Sequence, residues 1–80
     1  MTTVRVRLFA ALRELAGASE VEASGATVGD LVTALSEDYG ERFAKVARAG
    51  SVVVDGERVP ADRALADGDE VALLPPVSGG

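Results

Sequence analysis

The chain has 80 residues, 13 acidic and 8 basic side chains, a net charge of −5, and neither cysteine nor histidine. Nothing can form a disulfide or a thiolate metal site, and the commonest general base and metal ligand is missing. Stability must come from a core drawn from only about 60 to 65 % of the unfolded chain's surface, and neither an autonomous hydrolase nor a metalloenzyme is expected; no metal is expected. The charges are dispersed and mostly negative, which argues against phosphate neutralisation and so against nucleic acid as a partner. The opening MTTVRVRLFA lacks the basic region and apolar stretch of a signal peptide, and no apolar run approaches a bilayer's span. A cytoplasmic protein with no membrane partner is expected.

Residues 4–9 alternate, with Val4, Val6 and Leu8 on one face and Arg5, Arg7 and Phe9 on the other, which predicts a strand with one core face. Residues 10–16 are good helix formers closed by Gly17 and predict a short helical turn. Residues 19–23 alternate again, with Val21 opposed to Glu20 and Glu22, as a strand paired with the first requires. Thr27 is placed to cap a helix and Asp30 to sit near the positive end of its dipole. Val28, Leu31, Val32, Leu35 and Tyr39 then recur at three- and four-residue spacing until Gly40. Tyr39 ends this stripe with its hydroxyl at the rim. Phe43 and Val46 predict one further short helical turn. The run from Val52 to Val59 centres on Asp55-Gly56, a hairpin signal, and Pro60 confines its second arm to an edge. Residues 65–69, LADGD, make a turn, and residues 70–74 a last strand with Val71 and Leu73 on the core face.

The order strand, strand, helix, strand, strand, strand predicts an α+β protein with the β-grasp, ubiquitin-like architecture. In it a mixed sheet of about five strands carries one main helix on one face, with one or two short helical turns, in a single domain over residues 1–80. Residues 25–29 are not a phosphate loop, because no lysine follows the glycines. Asp67 and Asp69, on either side of Gly68, read as a turn that satisfies backbone amides rather than as a metal site.

The chain then closes with LLPPVSGG. Terminal glycines usually mean a frayed end. Here Pro75-Pro76 favours extended backbone and makes a stiff arm, and glycines suit an end that must thread a narrow channel. Residues 75–80 therefore read as a flexible tail that presents the carboxylate of Gly80. If an ATP-dependent enzyme adenylated that carboxylate, a sulfur nucleophile could turn it into a thiocarboxylate, and a chain without cysteine could carry sulfur.

LFAALRELAG at residues 8–17, DGDEVALLPPVSGG at residues 67–80 and the spacing between them resemble the small subunit of molybdopterin synthase, in the MoaD-like group of ubiquitin-like sulfur carriers. The resemblance covers the whole chain. It implies that Gly80 is adenylated with ATP by a ubiquitin-activating-type adenylyltransferase and converted to a thiocarboxylate with a sulfurtransferase as the sulfur source. Gly79 helps it thread into the large synthase subunit, where sulfur passes to cyclic pyranopterin monophosphate. The resemblance further implies a heterotetramer, catalytic residues on the large subunit, and no cofactor bound to the carrier.

Parity adds a docking face. Phe9 and Leu74 fall opposite the core residues of their strands, on the uncovered side of the sheet, and Val53 and Val59 extend the patch. Pro75, Pro76 and Val77 would meet the partner along the arm. Arg13, with Glu14, matches the family's Arg-Glu pair; partner contact and an ordinary solvated helix face stand open for it. Alternative readings are a carrier for thiamine, cysteine or transfer RNA thiolation, a ubiquitin-like modifier that ends in isopeptide bonds, and an interaction domain with an idle tail. The paired prolines favour the molybdopterin reading over the thiamine one.

Overall fold

The computed structural model describes residues 2–76; the expectations for Val77, Gly79 and Gly80 lie outside them. Strand β1 (Thr2–Leu8) is followed by helix α1 (Ala11–Ala16), strand β2 (Glu20–Gly25), helices α2 (Val28–Tyr39) and α3 (Glu41–Ala49), and strands β3 (Ser51–Val54), β4 (Glu57–Arg58) and β5 (Glu70–Leu74). The five strands form one sheet in the order β2-β1-β5-β3-β4. β1 pairs antiparallel with β2 and parallel with β5, and β3 pairs antiparallel with both β5 and β4. This is the mixed-sheet β-grasp architecture that the element order predicts.

The alternation decides which face is buried. Val4, Val6, Leu8, Val54, Val71 and Leu73 point toward the helices and are buried, as are Val28, Leu31, Val32 and Leu35 of α2. Each such side chain contributes about 1.5–3 kcal/mol through removal from water, and no polar or charged residue is buried among them. The Thr27 hydroxyl accepts the Asp30 amide at 3.2 Å and caps α2. At the hairpin, Asp55 (φ 51°) and Gly56 (φ 87°) both take positive φ, the conformation that favours Asp-Gly in a two-residue turn.

Two expectations need correction. The turn expected around Phe43 and Val46 is a nine-residue helix, α3, with Phe43, Ala44 and Ala47 buried. Phe43 is fully enclosed, with its ring centroid 5.3 Å from that of Tyr39. This segment is thus a full helix packed on α2 and α1 rather than a single turn, and α2 remains the main helix laid on the sheet. Val59 does not extend the open face. It packs against the core with Val52, because its amide bonds to the Val52 carbonyl at 3.0 Å and continues the hairpin on the helix side.

Candidate functional site

The uncovered face of the sheet is charged along β1 and β2 and apolar toward β5 and β3. Arg5 Nε meets Glu20 Oε1 at 3.0 Å, and Arg7 Nε lies 4.0 Å from Glu20 Oε2, so one carboxylate sits between two guanidinium groups. Such exposed pairs contribute about 0–1 kcal/mol each; their stronger effect is to fix where charge sits on the face. Beside them is Phe9, 40 % accessible and the single large hydrophobic residue exposed among the described residues. Phe9, Arg5, Arg7, Val53 and Ala72 line one depression of about 300 Å³.

Strand alternation places Phe9 opposite the buried Leu8, on the open side. The next residue, Ala10, takes φ 50° and ψ −123° at the start of α1 and has no side-chain cap, a conformation that costs an L residue about 1–3 kcal/mol. The chain then enters α1, where Leu12 is buried and Arg13 and Glu14 remain exposed. Arg13 forms no ion pair among the described residues. Its carbonyl accepts the Gly17 amide at 2.9 Å, closing the helix on a left-handed glycine.

Leu74 and Phe9 do not share one depression. Leu74 is half-buried and lines a separate recess at the base of the tail with Gly50, Arg58, Pro75 and Pro76. Pro75 is half-buried and Pro76 exposed. Gly50 is the residue that reading the sequence missed. A Cβ built on it would overlap the Leu74 carbonyl oxygen and come within 2.9 Å of the Leu74 carbonyl carbon. Only a glycine lets the chain leave β5 along this path. The local sequence holds a faint signal, a glycine between a helix and a strand, but the constraint comes from a residue far along the chain.

At the other end of β5 the turn before it is held by charge. The Asp69 carboxylate accepts the Ala66 amide at 2.8 Å and Arg63 Nη1 at 2.7 Å. The Ala66 amide first, and the Arg63 guanidinium second, hold its carboxyl below the ordinary value of 3.8. Asp55 Oδ1 accepts the Glu70 amide at 3.1 Å and anchors the start of the strand. Asp69 does serve a backbone amide, that of Ala66, as its place beside Gly68 suggested. Among the described residues no group of three or more His, Cys, Asp or Glu side chains could hold a metal, and no helix is long and apolar enough to cross a membrane. These residues offer a surface and an exit for the chain, with no buried base or nucleophile.

Residues 6–80 match the ThiS family. The chain is 40 % identical to the molybdopterin synthase sulfur carrier subunit of Escherichia coli, over 96 % of this chain and 99 % of that one. Among solved structures, the small archaeal modifier protein 1 of Methanosarcina acetivorans superposes with a TM-score of 0.87 at 31 % identity, covering 100 % of this chain and 98 % of that one. A chain in the complex of subunits 1 and 2 of the molybdopterin-converting factor from Helicobacter pylori superposes with a TM-score of 0.70 at 25 % identity, covering 98 % and 99 %. With the fold, the open face and the tail exit in place, this chain belongs to the ThiS family of ubiquitin-like sulfur carriers.

Proposed function

We propose that this chain is the sulfur-carrying small subunit of a molybdopterin synthase. An adenylyltransferase joins the Gly80 carboxylate to the α-phosphorus of ATP and releases pyrophosphate. Hydrosulfide, released from the persulfide of a sulfurtransferase by a thiol reductant that becomes a disulfide, then attacks the carbonyl and AMP leaves. The resulting thiocarboxylate enters the active site of a large subunit and gives its sulfur to cyclic pyranopterin monophosphate, and two such deliveries complete the dithiolene. The carrier supplies the carbonyl and the docking surface; the large subunit supplies the acids and bases. Activation and delivery both take place in the cytoplasm.

The observation that carries this reading is the exit of the tail. Pro75 and Pro76 follow β5, a strand of the sheet's interior, on a path that Gly50 keeps clear, and the same sheet presents Phe9 to solvent. The Escherichia coli relative and the two-subunit complex of the Helicobacter pylori neighbour support the choice of partner. In this assembly Phe9, Arg13 and Leu74 contact the large subunit, while Pro75, Pro76, Val77 and Gly79 lie along its entry channel.

Intact-mass analysis after incubation with an activating enzyme, ATP and a sulfur source tests the reading. One oxygen should be exchanged for sulfur at Gly80, and a chain lacking Gly80 should show no exchange while melting at the wild-type temperature. The Methanosarcina acetivorans neighbour, named a modifier, favours a second reading, which the same experiment separates: isopeptide conjugates without sulfur exchange would replace the carrier assignment.

A further inference from the structure

A groove unrelated to the open face runs on the helix side of the sheet, between the start of α2, the end of α3 and the β3–β4 hairpin. Its volume is about 420 Å³, and Val28, Val32, Ala47, Val52 and Val59 give it an apolar lining. Arg48 and Arg58 stand on its walls, both exposed and neither in an ion pair among the described residues. No carboxylate lines it, although the chain as a whole carries a net charge of −5. The positive potential here belongs to the two arginines and not to the helix end, because the first amides of α2 are taken by the Arg63 and Ala61 carbonyls at 3.0 and 2.7 Å.

Two further facts say what fits. Gly50, Ser51 and Arg58 line both this groove and the recess at the tail base, so the two are continuous. β4 ends the sheet, so the backbone on its outer side has no strand partner. We propose that the groove binds an extended acidic peptide segment with apolar anchors, belonging to a protein that also meets the tail. Apolar side chains would rest on the half-buried Val52 and Val59, while flanking carboxylates would reach Arg48 and Arg58. A carrier built this way offers separate surfaces, sheet and groove, to the proteins that act on one tail. The inference rests on the proposed function only for the owner of the segment.

The test is an amide chemical-shift titration of the full chain with the capped peptide Ac-Asp-Leu-Asp-Leu-Asp-Leu-NH2, without ATP or sulfur, so that its failure is distinct from failure of sulfur transfer. Shifts are expected at Val28, Ala47, Ser51, Val52 and Val59, with Phe9 and Ala72 unmoved. The double variant Arg48→Glu, Arg58→Glu, whose sites are exposed, should keep the native spectrum and bind roughly tenfold more weakly. Equal binding of the lysine-leucine analogue, or no groove shifts at millimolar peptide, would overturn the proposal. So would the same shifts appearing on concentrating the free chain, which would make a second copy the occupant.

Discussion

The two faces of the sheet are built on opposite rules. On the helix side, Val6, Leu12, Leu31 and Phe43 are wholly excluded from solvent with no polar residue buried among them. On the open side, two arginines share one glutamate beside an exposed phenylalanine. Stability is concentrated on the first face and the proposed docking of the large subunit on the second, so substitutions should separate into those that unfold the chain and those that weaken that docking.

Phe43→Ala should have the largest effect, a loss of about 3–5 kcal/mol read from urea midpoints, out of a total that for a domain of this size is about 4–12 kcal/mol. A small loss would mean that α3 is peripheral to the core. Gly50→Ala should follow, at about 1–3 kcal/mol, with adenylation at Gly80 slowed beyond what the lost stability explains. A wild-type melting temperature would show that Leu74 has room to move. Phe9→Ala sharpens the contrast from the other side. Stability should stay within about 0.5 kcal/mol of wild type, while calorimetry should show binding to the large subunit weakened by about 1–3 kcal/mol. Unfolding of this variant would instead assign Phe9 to the core.

The smallest effect concerns acid. Because the Asp69 carboxyl titrates below its ordinary value of 3.8 in the folded chain, its contribution is complete above that value and is lost as pH falls through the folded one. Asp69→Asn should therefore remove part of the fall in melting temperature below about pH 4 and leave the remainder of the profile unchanged. An unaltered acid limb would show that the Ala66 and Arg63 contacts do not persist in solution.

Most of the fold was legible because β1, α2 and β5 each carry a clean period, and Asp55-Gly56 names its own turn. The full length of α3 was not. Two of its three buried residues are alanines, Ala44 and Ala47, set among Glu41, Arg42, Lys45 and Arg48, so its apolar stripe is too slight to read as one. Val59 was misplaced because β4 has only two residues, too few for alternation to establish a face. Of the candidate site, the exposure of Phe9 followed from parity alone. The constraint on Gly50 comes from Leu74, and the groove draws its lining from α2, α3 and the hairpin; no local pattern encodes either.

The position of β5 has a mechanical consequence. The strand lies between β1 and β3 and is hydrogen-bonded along both edges. A force applied at Pro76 along the strand loads both ladders in shear, so their bonds must yield together. A strand at the sheet's margin, held on one side, would unzip bond by bond under a much smaller pull. In the proposed function, an enzyme drawing the tail into its channel would therefore haul the whole body up against the entrance and would not strip the last strand from the sheet.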